Sequence, residues 1–210
     1  MAREMNRNLL FTAAITLSGL LAGSSPALAQ QAQDSGFYAG GALGQAKAKD
    51  ACSGITGAGF TGGCDDKDTA WKIFGGYQFN RHFGAEVGYV DLGEFTANGT
   101  ISGAPASASA EAKGFEVVGV GMIPFTQQLS AYGKAGLFRW DVDSRATAGA
   151  TSAGGGDKGT DFTYGVGLKY DFTRNLAGRL EFQRYNNVGE TSTTGQSDVN
   201  LWTLGVAFKF

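Results

Sequence analysis

Residues 201–210 read LWTLGVAFKF. Trp202, Leu204, Val206, Phe208 and Phe210 share one parity, while Leu201, Thr203, Gly205, Ala207 and Lys209 share the other. A helix would spread those large side chains around its axis. A strand sends alternate residues to opposite faces, so the spacing predicts a strand with one broad apolar face. The same period recurs upstream. AWKIFGGYQF (70–79) sets Trp71, Ile73, Gly75, Tyr77 and Phe79 against Lys72, Phe74, Gly76 and Gln78. Val166, Leu168, Tyr170 and Phe172 oppose Gly165, Gly167, Lys169 and Asp171, and Leu176, Gly178, Leu180 and Phe182 oppose Arg179, Glu181 and Gln183.

Extended along the chain, this reading predicts eight strands at 36–46, 69–80, 83–92, 113–124, 129–141, 159–172, 175–187 and 198–210. The first and fourth have weak phase, because Gly and Ala dominate or both faces are apolar. Tight turns at 80–82, 124–128 and 173–174 alternate with long Gly/Ser/Thr/Ala-rich segments at 47–68, 93–112, 142–158 and 188–197, read as loops. An even strand count with short turns at one end and long loops at the other is the pattern of an outer-membrane barrel. Strands of about ten residues cross the hydrocarbon when tilted, and closure leaves no unpaired backbone edge in lipid.

The competing architecture is a secreted β-sandwich, whose strands also alternate. A sandwich turns one face to water, yet here one face carries large aromatics and aliphatics, and the other small residues with scattered opposite charges. The expected fold is therefore an all-β, eight-stranded antiparallel up-and-down transmembrane barrel. Its interior has room only for side chains, so small and charged residues are expected to point inward. Phe79, Phe83, Phe125, Phe172 and Phe210 fall beside the short turns, and Trp71, Tyr89 and Tyr164 toward the loops, as two interfacial girdles require.

Composition narrows the chemistry. The chain has 210 residues with 34 Gly but 3 Pro, 12% aromatics and a formal charge of −2. That balance excludes collagen and a disordered chain, and supplies no electrostatic footprint for nucleic acid. Two Cys and one His cannot build an all-Cys/His zinc site or an iron–sulfur site, and no cofactor is expected. Arg3 and Arg7 precede a charge-free stretch at 9–23 (LLFTAAITLSGLLAG), followed by Pro26 and Ala27-Leu28-Ala29. This predicts a secretory signal over 1–29, cleaved before Gln30, with a barrel domain over 30–210. The stretch is shorter than a spanning helix needs.

The segments GAEVGYVDLG (84–93), YGVGLKYDFTRNL (164–176), GRLEFQRYNNVG (178–189) and the closing LWTLGVAFKF resemble, in order and spacing, the transmembrane domain of OmpA-type outer-membrane proteins. The resemblance covers roughly 35–210 and implies an eight-stranded barrel with periplasmic turns, extracellular loops and a charged interior. Phe210 behind its alternating row (Trp202, Leu204, Val206, Phe208) resembles the signal read by the barrel assembly machinery; a lipid-facing last strand alone would give the same pattern. Larger members carry a peptidoglycan-binding domain. This sequence stops at Phe210, so cell-wall anchoring is not carried over.

Glu86, Lys134, Lys169, Arg179 and Glu181 share the inward parity of their strands, and Glu116 joins them. A basic residue facing lipid near the midplane would cost roughly 2–4 kcal/mol; inside, opposite charges compensate one another. Glu86–Arg179 is expected as the central pair, with Glu181 meeting Lys169 or Lys134, and a matched charge reversal is expected to restore much of a single reversal's loss. By position, Glu86 and Arg179 match family residues that form a lumenal salt bridge. Val120 and Lys169 stand where the family has a lysine and a glutamate, so a switching gate is not carried over. A plug of ion pairs is favoured over a conducting path.

Cys52 and Cys64 flank CSGITGAGFTGGC in the first long loop, and an exported chain with two Cys there favours a disulfide over two free thiols. Asp50, Asp65, Asp66 and Asp68 lack calcium-loop spacing and read as solvated charge. Arg139 and Arg184 interrupt the apolar register toward the loop end, where they would either snorkel into water or meet lipopolysaccharide phosphates. His82, the only histidine, lies in a turn with no adjacent Ser, and neither a GxxxxGK loop nor a paired-His motif occurs. The sequence thus reads as a non-enzymatic surface-interaction barrel held in outer-membrane lipids, displaying its loops to host or surface ligands. A narrow porin-like channel for ions or small solutes is the alternative.

Overall fold

The computed structural model describes residues 35–49, 52, 60–190 and 196–210; the signal-sequence expectation lies outside these. The described strands are β1 (Gly36–Ala48), β2 (Phe60–Asp65), β3 (Lys67–Gln78), β4 (Phe83–Ile101), β5 (Ala104–Pro124), β6 (Leu129–Ala148), β7 (Thr151–Asp171), β8 (Leu176–Val188) and β9 (Ser197–Lys209). Eight of them close on themselves. Each of β3 to β9 pairs antiparallel with its sequence neighbour, and β1 sits between β3 and β9, with Tyr38 opposite Lys209. The expected barrel is therefore present, with each predicted strand inside or overlapping an observed one.

Alternation separates two environments. Leu43, Ile73, Val87, Val117, Val166 and Leu204 project outward and are more than half exposed, a surface that only hydrocarbon makes favourable. Trp202, Leu204, Val206, Phe208 and Phe210 all lie on that outer face. Aromatic rings touch across neighbouring strands at both ends: Phe37–Tyr77 at 4.7 Å near the short turns, where Tyr77 also meets Phe79 along its own strand at 5.4 Å, and Trp71–Tyr89 at 5.7 Å and Tyr89–Phe115 at 5.0 Å toward the loops.

The long-loop expectation needs correction. Residues 93–112 and 142–158 are mostly paired strand, not irregular loop: Glu94 to Ile101 ladder onto Ala104 to Glu111, and Val142 to Ala148 onto Thr151 to Asp157. Ser102 (φ 51°) and Gly103 (φ 83°) make the two-residue connection, with the positive φ at both central positions that a tight hairpin turn demands. The segment ASASAEA (106–112) is poor in β-branched residues, which hides a strand from composition. Context supplies it: once the barrel registers β4 against β5, each further pair extends an existing ladder. The first loop also contains β2, which pairs with upper β4 from Phe60↔Ile101 to Asp65↔Thr96.

A bulge between Asp91 and Glu94 re-aims β4 as it leaves the membrane. Gly93 there has φ +82°, and Asp68 Oδ2 accepts the Glu94 N–H at 2.7 Å. The extra residue moves the inward parity from Val90 and Leu92 to Phe95 and Ala97, all of them buried. Val90, Leu92 and Phe95 join Phe138, Trp140, Val142, Tyr185, Val199 and Leu201 in one apolar cluster filling the loop end of the lumen. The interior is thus not confined to small and charged residues. Its loop end is an apolar cap.

Candidate functional site

Beneath the cap, parity turns charged residues from five strands toward one layer: Lys72 from β3, Glu86 from β4, Glu116 from β5, Lys134 from β6, and Arg179 and Glu181 from β8. All six are buried. Three are cationic and three anionic, so the layer is neutral.

Arg179 is its hub. Nη1 donates to Glu86 Oε1 at 2.9 Å, Nη2 to Glu181 Oε2 at 3.1 Å, and Nε to the Tyr132 hydroxyl at 3.1 Å. Its guanidinium also lies 4.5 Å from the Phe74 ring centroid and 4.6 Å from that of Tyr132, positions in which ring quadrupoles favour a cation. Lys134 Nζ bridges Glu86 Oε2 at 2.9 Å and Glu181 Oε2 at 3.1 Å. Lys72 donates to Glu181 Oε1 and, at 2.9 Å, to Gln183 Oε1.

Neutral side chains complete the layer. Tyr132 Oη donates to Glu181 at 2.6 Å and Tyr38 Oη to Glu86 at 3.0 Å. Glu116 Oε2 accepts from Gln183 at 2.7 Å and from Tyr185 at 3.0 Å, while Gln183 also donates to Thr163 at 2.9 Å. Charges taken out of water are tolerated only when paired and hydrogen-bonded in this way. Removing one partner of such a pair typically costs about 3–5 kcal/mol.

Lys169 does not belong to the cluster. Its Nζ pairs with Asp171 at 3.2 Å in the part of the lumen beside the short turns, and it is Lys134 and Lys72 that meet Glu181. Inward parity was right for Lys169, but parity does not give depth. Lys72 was missed although the alternation over 70–79 already placed it inward. Tyr38 and Tyr132 were missed as well; on β1 the Gly/Ala-rich phase concealed the register.

The remaining residues singled out from sequence lie at the rims. Arg139 is outward and exposed, between Phe115 and Thr160 on neighbouring strands. Arg184 is only half-buried, with Nη2 3.5 Å from Asp198 Oδ2, so a carboxylate of the chain itself already engages it. Cys52 and Cys64 form a disulfide. Asp66 pairs with Lys47 at 3.4 Å, Asp65 and Asp68 accept backbone N–H groups, and Asp50 falls outside the described residues. His82 is exposed in the β3–β4 turn, where its carbonyl accepts from Met122 N at 2.7 Å.

Residues 32–210 match the OmpA-like transmembrane domain family. Outer membrane protein A of Klebsiella pneumoniae is 32% identical over 184 residues, covering 85% of this chain and 52% of that protein. Outer membrane protein A of Yersinia pseudotuberculosis is 32% identical over 200 residues, covering 94% and 55%. The chain thus spans about half the length of the curated relatives it matches. Among solved structures, Neisserial surface protein A aligns with a TM-score of 0.54 at 16% identity, covering 83% of this chain and 97% of that one. The attachment invasion locus protein Ail of Yersinia pestis aligns at 0.50 and 16%, covering 84% and 98%. A second structure of Ail, at 0.50 and 13%, holds the heparin analogue sucrose octasulfate.

Proposed function

The chain belongs to the OmpA-like transmembrane domain family and resides in the outer membrane, and on that premise we propose that it is a sealed, non-enzymatic barrel that carries extracellular hairpins for surface interactions. The observation that supports a seal is the stacking of two different obstructions in one lumen. The neutral ion-pair layer around Arg179 occupies the middle, and the apolar cap of Phe138, Trp140, Tyr185 and Leu201 lies above it. An ion crossing would have to displace buried salt bridges and then pass an apolar plug, each step costly without water.

Single-channel recording in planar bilayers, with a boiled sample as control, tests the seal. No conductance steps are expected from folded protein. Reproducible steps that vanish on boiling would overturn the reading in favour of a narrow channel.

Display is the role left to the hairpins above the membrane. Their outward face carries a cross-strand row of alternating sign, Asp91–Lys113–Asp141–Lys158, with Lys158 donating to Asp141 at 2.6 Å. That row offers a polyanion no continuous basic track, so a ligand of the kind bound to Ail is not assigned to this chain. Arg139, exposed at the rim, is proposed to engage lipopolysaccharide phosphates, and Arg184 does so only in competition with Asp198. The outward row ending at Phe210 is proposed as the contact for the assembly machinery.

A further inference from the structure

Glu116 is hydrogen-bonded into the ion-pair layer through one oxygen only. Its Oε2 accepts from Gln183 at 2.7 Å and from Tyr185 at 3.0 Å, whereas Oε1 is buried and accepts no hydrogen bond among the described residues. Two ammonium groups flank Oε1, Lys72 Nζ at 3.8 Å and Lys134 Nζ at 3.9 Å, close enough for attraction but beyond hydrogen-bond reach. An ammonium has three N–H groups, and in Lys72 Glu181 and Gln183 take two of them. A spare donor and a spare acceptor thus lie 3.8 Å apart deep in the lumen.

Gly88 makes room beside them. It shares the inward parity of Glu86 and Val90 and lies in one cross-strand row with Phe74, Glu116 and Phe138. A Cβ at this position would stand 3.4 Å from Glu116 Oε1 and 3.0 Å from the Ile73 carbonyl oxygen. The glycine therefore leaves about one heavy atom's space against the unsatisfied oxygen, with a backbone acceptor in reach.

We propose that this gap is a binding site for one water molecule, which accepts from Lys72 Nζ and donates to Glu116 Oε1 and to the Ile73 carbonyl. About three partners are the usual complement of a buried water, and a carbonyl oxygen keeps a second lone pair when its first is used in a ladder. The charges around the gap set the class of ligand. Two ammonium groups oppose a metal cation, and the carboxylate opposes an anion. A neutral molecule that both donates and accepts meets each of them. The site lies where the layer meets the cap, since Tyr185, which donates to the other Glu116 oxygen, belongs to the apolar cluster. It does not depend on whether the lumen conducts.

Magnetic relaxation dispersion of solvent nuclei, recorded on the folded chain in neutral-detergent micelles, counts waters held longer than the particle takes to tumble. Gly88→Ala puts a methyl group in the gap and is expected to lower that count by one. Gly121→Ala, on the outer face with no atom within 4 Å of its Cβ, is expected to leave it unchanged. Equal counts for the unsubstituted chain and Gly88→Ala, or the same loss in Gly121→Ala, would overturn the proposal. Should Gly88→Ala lose heat-modifiable migration, a crystal structure of the unsubstituted chain decides instead. A water peak within about 3.2 Å of both Glu116 Oε1 and Lys72 Nζ is expected. Ordered side chains with no such peak, or Lys72 hydrogen-bonded directly to Glu116, would overturn it.

Discussion

Arg179 on β8 reaches across the lumen to Glu86 on β4, with Nη1 2.9 Å from Oε1. Neither residue is committed to the other alone. Glu86 also holds Lys134 at 2.9 Å, and Arg179 also holds Glu181 at 3.1 Å. A simultaneous charge reversal would set like charges against both of those neighbours, so the structure revises the expectation from sequence: Glu86→Arg with Arg179→Glu recovers only part of what either reversal loses. Neutralisation is the cleaner measurement. Glu86→Gln and Arg179→Gln should each cost about 3–5 kcal/mol, and the double variant less than their sum by about 0.5–3 kcal/mol. Urea unfolding in lipid vesicles, followed by gel migration, reads all three. Strict additivity would show that the two residues are not coupled.

Lys72 and Lys169 have the same inward parity and separate on depth. Lys72 is buried and donates to Glu181 and Gln183, whereas the Lys169 side chain is 22% exposed and pairs with Asp171 near the mouth. Lys72→Met should therefore destabilise the barrel by about 3–5 kcal/mol, because Glu181 and Gln183 lose a buried partner. Lys169→Met should cost no more than about 1 kcal/mol, as for a solvent-screened pair. Equal effects of the two substitutions would mean that the ion-pair layer extends to the mouth.

The contrast between these lysines marks where sequence reasoning reaches its end. Period two assigns faces reliably wherever large and small side chains alternate, as in 70–79 and 201–210. It does not report how far along the barrel each inward residue lies, because strand stagger sets depth, and stagger is a property of closure. The distance of Lys169 from the turn at 173–174 was the one available clue. Tyr38 sits in a Gly/Ala-rich strand whose two faces look alike, so its hydrogen bond to Glu86 was invisible. Most of the apolar cap (Val90, Phe138, Trp140, Tyr185 and Leu201) comes from inward positions of strands already legible in the sequence, and only Phe95 depends on the bulge at Gly93, beyond which the register cannot be counted from the membrane strand.

The outer surface allows a prediction that depends only on depth. Leu43, Leu204, Leu180 and Leu168 are successive cross-strand partners on β1, β9, β8 and β7, all outward, forming a leucine row between the aromatic girdles. Leu204→Arg places a cation in the middle of that row and should cost about 2–4 kcal/mol, while Thr160→Arg, outward at the loop end, should cost about 0–1 kcal/mol. Folding efficiency and urea midpoints in vesicles distinguish them. Comparable losses at both positions would contradict the membrane placement.

Gly93 couples the barrel to the hairpins above it. Its φ of +82° disfavours L side chains, and a Cβ there would lie 2.5 Å from Asp68 Oδ2, which accepts the Glu94 N–H. A valine would have to abandon the left-handed conformation or expel Asp68, at a local cost of about 1–3 kcal/mol. The strain falls above the ion-pair layer, where β4 has already completed its membrane pairs with β3 from Trp71↔Asp91 to Gln78↔Gly84. Gly93→Val should therefore leave heat-modifiable migration intact while loosening the ladder from Glu94↔Glu111 to Ile101↔Ala104, visible as faster proteolysis within 93–112. Because the same bulge turns Phe95 into the cap, the variant should also admit water to the loop end of the lumen, speeding amide exchange at Val142. Loss of the folded band on gels would instead show that the barrel cannot form without the bulge.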